Sequence, residues 1–78
     1  MNYKEQNNQL ILELKPLNYL MGLEWVNRAA LLAEELNHHP DIVFSYSMVK
    51  ISINSHDAGH TVTEKDHKYM KELVNRIR

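Results

Sequence analysis

The chain has 78 residues, 44% of them hydrophobic and 24% charged, with no cysteine and a formal net charge of −1. A fold without disulfides at this length lies near the lower limit for a single core, about 60 to 80 residues, so association of copies is an expected supplement to stability. Nine Lys and Arg against ten Asp and Glu leave no basic excess for a nucleic-acid surface, and the lack of thiols removes cysteine nucleophiles, disulfide scaffolds and Cys-containing zinc sites.

No apolar run approaches the ~18 residues of a membrane span, and Met1-Asn2-Tyr3-Lys4-Glu5 lacks the apolar stretch of a signal peptide. A cytoplasmic protein is therefore expected. Two glycines and two prolines, with no repeat or low-complexity segment, lead us to expect one domain over residues 1–78.

Leu10, Leu12 and Leu14 alternate with polar or opposite-facing residues in Gln9 to Lys15, predicting a strand that Pro16 closes. The turn-prone pair Asn7-Asn8 precedes it, and the stretch from Tyr3 to Gln6 is the hairpin partner. From Asn18, a candidate N-cap, Leu20, Leu23, Val26, Ala30, Ala33 and Leu36 recur every three or four residues, the mark of a long amphipathic helix. Pro40 ends it, because the residue before a proline is driven out of helical geometry, so His38 and His39 fall at or just past the last turn. A strand from Ile42 to Tyr46 follows. Val49, Ile51 and Ile53 then alternate with polar residues as a half-buried strand up to Asn54. After the loop Ser55-His56-Asp57-Ala58-Gly59, Thr63 begins a last helix with Asp66, Met70, Leu73 and Ile77 along one side, and Thr63-x-x-Asp66 has the form of a capping box. The β-β-α-β-β-α order predicts an α+β fold, an antiparallel sheet covered on one face by both helices, with the other face free for a partner.

Three of the five histidines, His38, His39 and His56, lie at the ends of regular elements, where sites are commonly built. A helix C-terminus favours an imidazolium by ~0.3 to 1 kcal/mol, which suits general acid–base work by the His38-His39 pair. The same pair could instead cap the helix by bonding its last carbonyls. His38, His39, His56, His60, Asp57 and Asp66 offer metal-ligand types, but not at a recognised metal spacing, so no metal is expected. Ser55-His56-Asp57 has the residue types of a hydrolase triad, yet immediate neighbours in an extended segment face opposite ways. Tyr3, Tyr19, Trp25, Phe44 and Tyr46 supply aromatic surface for the core, an interface or a planar heterocycle. Lys65, Lys68, Lys71, Arg76 and Arg78 make the last helix basic outside, either as a solvated face or as an anion site.

Glu34-Glu35-Leu36-Asn37-His38-His39-Pro40-Asp41, Tyr46, Val49, Ile51, Ser55-His56-Asp57-Ala58-Gly59 and Thr63-Glu64-Lys65-Asp66 together resemble the pterin-4a-carbinolamine dehydratases. Spacing agrees as well as identity: a Glu four residues before the first His, an aromatic six after the proline, a third His ten further on. Tyr3 stands where the family has a tryptophan, the family's usual N-terminal helix has no counterpart here, and the loop from His56 to Asp66 is one residue longer than in many members. The resemblance implies a four-stranded antiparallel sheet and dehydration of 4a-hydroxytetrahydropterin to quinonoid dihydropterin, in pterin cofactor recycling and without any cofactor. It implies His38 and His56 as the acid–base pair, and His39, Glu34, Asp57 and Asp66 on the substrate-binding side. Glu34, one turn before His38, is expected to hydrogen-bond it, and Asp66 either to cap the last helix or to face the site. A homodimer or homotetramer is implied too, with no direct nucleic-acid or membrane partner. Relatives with this fold that serve as dimerisation partners of transcription factors or assist assembly of a carbon-fixing enzyme supply the alternative, a non-catalytic or dual-role binding module. A metal-dependent hydrolase stands as a third class.

Overall fold

The structure, a computed structural model, describes residues 2–77. Strands β1 (Lys4–Gln6) and β2 (Gln9–Leu14) form a hairpin, helix α1 spans Tyr19–Leu36, strands β3 (Asp41–Ser45) and β4 (Met48–Ile53) form a second hairpin, and helix α2 spans Glu64–Ile77. All pairings are antiparallel, in the order β1-β2-β4-β3, so β2 and β4 are central. The expected α+β fold is what is found.

Local sequence explains the turns. Asn7 and Asn8 both have positive φ, 53° and 62°, the two left-handed residues of a hairpin turn whose twist matches that of the flanking strands. Asn18 caps α1 as expected, its side chain accepting from the Met21 backbone N–H at 2.8 Å. The second hairpin turns at Tyr46-Ser47, so β3 ends one residue earlier than predicted and β4 begins one residue earlier, at Met48.

Leu10, Leu12 and Leu14 face Ile53, Ile51 and Val49 across the β2–β4 ladder, and this six-residue apolar surface is the floor of the core. From α2, Tyr69, Met70, Leu73, Val74 and Ile77 pack on it, and from α1, Ala29, Leu32 and Ala33. The side of α1 that faces the core matches the expected stripe in its second half, where Val26, Ala33 and Leu36 pack on the core, and departs from it in the first. Leu20 is 73% and Leu23 40% exposed, while Gly22, Ala29, Leu32 and Ala33 are buried. Small residues sit where the helix comes nearest its neighbours: a Cβ on Gly22 would lie 2.7 Å from the Phe44 ring. Close approach selects a small side chain there, and Leu20 and Leu23 are turned away.

α1 and α2 are joined by a buried hydrogen bond, Tyr69 Oη donating to the Ala29 carbonyl at 2.6 Å, and by Arg76 gripping the Glu35 carboxylate with both terminal nitrogens, at 2.5 and 2.9 Å. Burial pushes the Tyr69 hydroxyl far above its ordinary value, so it is a neutral donor at any physiological pH. Tyr69→Phe is expected to lower unfolding free energy by about 1 kcal/mol, the usual worth of such a bond, with an unchanged urea m-value. A variant as stable as the wild type would show that the bond contributes nothing net.

Candidate functional site

The geometry of the site follows from the β3–β4 ladder. Asp41 of β3 pairs with Ser52 of β4, so the chain leading into β3 and the chain leaving β4 emerge side by side at one end of the sheet. His38 lies three residues before Asp41, and Ser55 three residues after Ser52, with His56 next. Asn37, left-handed at φ 51°, ends α1, its N–H directed at the Ala33 and Glu34 carbonyls, while the His38 N–H bonds the Ala33 carbonyl at 3.0 Å. The backbone thus caps α1 by itself, which leaves both imidazoles free for other partners.

His38 Nε2 lies 2.5 Å from Asp66 Oδ1. Asp66 is fully buried, and its other oxygen accepts from Ser55 Oγ at 2.9 Å and from the Thr63 backbone N–H at 2.8 Å. The Thr63 bond is the acid-to-backbone half of the expected capping box. Capping and facing the site, posed as alternatives, are performed together by the two oxygens of one carboxylate. Burial alone would raise the Asp66 carboxyl, but the hydrogen bonds from His38, Thr63 and Ser55 outweigh it, and the group is held below the ordinary value of 3.8. An ionised carboxylate can only accept, so Nε2 of His38 carries a proton and Nδ1 is the atom left to exchange one with a ligand.

Glu34 does not bond His38, contrary to expectation. It pairs with His39, Oε2 to Nε2 at 2.6 Å, both side chains exposed. The cause is the left-handed Asn37: once the chain leaves helical geometry the i, i+4 relation no longer holds, and His39 folds back over the helix end while His38 turns towards α2. His56 opens a single 3-10 turn, His56–Ala58, closed by Gly59 at φ 82°. Its ring meets that of His60 edge-on, centroids 4.6 Å apart. Asp57 pairs with Lys65 at 3.3 Å, and that hydrogen bond holds the Asp57 carboxyl below its usual range.

Asn37, His38, His39, His56, Asp57 and Lys65 line one cleft of about 460 Å³. Four of the six expected site residues therefore line it: His38, His39, His56 and Asp57. Asp66 touches it through His38, and Glu34 through His39. Ser55 is the member whose role the sequence reading missed: it is almost fully buried, bonded to Asp66 and, at 2.7 Å, to Thr63 Oγ1. Only its adjacency to His56 could have drawn attention to it. Among the described residues no group of three or more His, Asp or Glu is placed to hold a metal ion. A cleft with several imidazoles, one of them fixed by a buried carboxylate, can transfer protons to and from a planar ligand near neutral pH.

Asp66→Asn is expected to cost about 1–3 kcal/mol of stability at pH 7, since it weakens three hydrogen bonds to a buried charge. The sign with pH follows from the lowered carboxyl: its contribution is present above the unfolded value of 3.8 and is lost as pH falls through the still lower folded value. The gap between wild type and variant should therefore close below about pH 4 in urea titrations run at successive pH values. A gap independent of pH would show that the carboxylate charge plays no part.

The family model described as pterin 4 alpha carbinolamine dehydratase matches residues 2–75. A Chloroflexus aggregans chain with the provisional name pterin-4-alpha-carbinolamine dehydratase is 40% identical over 62 residues, 80% of this chain and 65% of its own. A similarly named Thermomicrobium roseum chain is 35% identical over 72 residues, 92% of this chain and 76% of its own. The alignments with chains from two Chloroflexus species thus span just under two thirds of those chains' length, 65% and 64%. Among solved structures, a transcriptional coactivator/pterin dehydratase from Brucella melitensis superposes with a TM-score of 0.84 at 26% identity, over 96% of this chain and 80% of that one. A pterin dehydratase-like RuBisCO assembly factor of the alpha-carboxysome shares the fold, with a TM-score of 0.72 at 18% identity over 92% and 82% of the two chains. Fold, histidine spacing and the match over nearly the whole length agree, and the chain belongs to the pterin 4 alpha carbinolamine dehydratase family.

Proposed function

We propose that this protein dehydrates 4a-hydroxytetrahydropterin to quinonoid dihydropterin and water, recycling a pterin cofactor. The observation that carries the reading is the His38 imidazole, locked by a buried, ionised Asp66 in the same cleft as His39 and His56. The reaction breaks the C4a–oxygen bond: the hydroxyl takes up a proton and leaves as water, N5 gives up a proton, and a C4a–N5 double bond forms. His38 and His56 serve as the acid–base pair, one supplying the proton and the other receiving it. Asp66 is a positioning residue that fixes the His38 tautomer, and it sits on the substrate-binding side with His39, Glu34 and Asp57. His39, braced by Glu34, orients the ring, and Asp57 lines the cleft beside it. All of this chemistry uses side chains alone.

The protein on this reading is one domain over residues 1–78, works in the cytoplasm and associates as a homodimer or homotetramer. No helix among the described residues is long and apolar enough to cross a membrane. Leu20, Leu23 and Leu31 form an exposed row on the side of α1 opposite the core, and that row supports self-association. The same row favours a second reading, a dual role as an assembly or dimerisation partner, in keeping with the coactivator designation of the Brucella melitensis protein.

Freshly generated 4a-hydroxytetrahydropterin, followed by ultraviolet absorbance, tests the proposal. Wild type should accelerate its loss, and His38→Ala and His56→Ala should each reduce the rate by about 10²–10³-fold, with circular dichroism confirming that both variants fold. A wild-type rate equal to that of the uncatalysed reaction would overturn the dehydratase reading and bring partner binding to the front.

A further inference from the structure

Past His38 and Lys65 the catalytic cleft opens into a second hollow of about 270 Å³, lined by Leu36, Asn37, His38, Lys65 and Lys68. Asn37, His38 and Lys65 belong to both, so a ligand seated on the histidines has the second hollow directly beside it. The lining has two ammonium groups and no carboxylate. Lys65 and Lys68 lie three residues apart near the start of α2, neighbours on one face of the helix. Lys65 already reaches Asp57, whereas Lys68 makes no ion pair among the described residues. The end of α1 borders the hollow, and two of its last four carbonyls, those of Ala33 and Glu34, are occupied by the His38 and Asn37 N–H groups. A locally cationic hollow in a chain of net charge −1 is not a by-product of overall charge.

We infer that this hollow receives an anionic substituent on the pterin, a phosphate or a carboxylate, and that Lys68, with Lys65, selects substrates carrying one. The inference rests on the dehydratase reading for what occupies the cleft. It resolves the choice between a solvated basic face and an anion site in favour of the anion for two of the lysines: an anion leaving the cleft meets Lys65 and then Lys68.

Unreactive 7,8-dihydropterins bearing hydroxymethyl, hydroxymethyl phosphate or carboxylate at C6 provide the test, by fluorescence titration of the full chain and of Lys68→Ala and Lys68→Arg. Turnover of the matching 4a-hydroxy compounds is measured alongside. At least one anionic ligand should bind wild type about five- to tenfold tighter than the neutral one, and the gap should narrow as salt is raised. Lys68→Ala should shrink that gap and Lys68→Arg should keep it. Anionic ligands binding no tighter than the neutral one, or Lys68→Ala weakening all three equally, would overturn the inference. Absent turnover with the binding preference intact would count against the dehydratase reading alone, and turnover without any preference against the anion subsite alone.

Discussion

One buried carboxylate ties this molecule together at its functional end. Asp66 carries a charge with no solvent contact, and a charge in that position is tolerable only if its lone pairs are filled. The donors come from three separate segments: His38 beyond α1, Ser55 beyond β4, and Thr63 at the start of α2. No buried side-chain polar atom among the described residues is left without a partner. Removing any one donor would leave a lone pair of the buried carboxylate unfilled, so the placement of the His38 imidazole contributes to stability. Stability and the proposed chemistry share the same atoms.

The helix layer follows a different rule. Gly22, Ala29 and Ala33 let α1 settle close to the sheet and to α2, and while Leu32 is buried among them, Leu20, Leu23 and Leu31 of the same helix lie on its far side. Small residues thus set the closeness of the interior contact while three leucines remain outside in a row. A short chain that turns leucines outward gives up burial it could ill spare, which is physically sensible when another surface covers them.

Much of this was legible because the relevant forces are local. Asn7-Asn8 adopts left-handed geometry readily, Asn18 satisfies an orphan helix N–H, and Leu10, Leu12 and Leu14 alternate because a strand has period two. Each can be read within a few residues of sequence. The face of α1 was legible only in part: Val26, Ala33 and Leu36 of the expected stripe pack on the core, but Leu20 and Leu23 do not, because Gly22 and Ala29, small residues that a stripe of large side chains overlooks, take the close contacts. The partner of Glu34 was misread for a related reason: the i, i+4 rule assumes a helix that continues, and Asn37 ends it one residue before His38. Ser55 stood out only as the neighbour of His56, since its significance lies in a contact with a residue eleven positions away across a loop. The histidine spacing, by contrast, was readable only through resemblance to a family, and the ladder geometry supplies its physical reason.

That ladder acts as a ruler. His38 and Ser55 stand three residues beyond the same Asp41–Ser52 pair, and the register between them is set at the opposite end by a turn of only two residues, Tyr46-Ser47. Adding or deleting one residue in that distant turn would have to be absorbed by a bulge or by a slip of the whole hairpin, which turns every side chain of a strand to the other face. The spacing between the histidine pair and the third histidine is thus a length specification written in backbone pairing. Drift in the identity of the residues between them is tolerable so long as their number and alternation are kept, whereas a change in that number reaches the cleft without touching it.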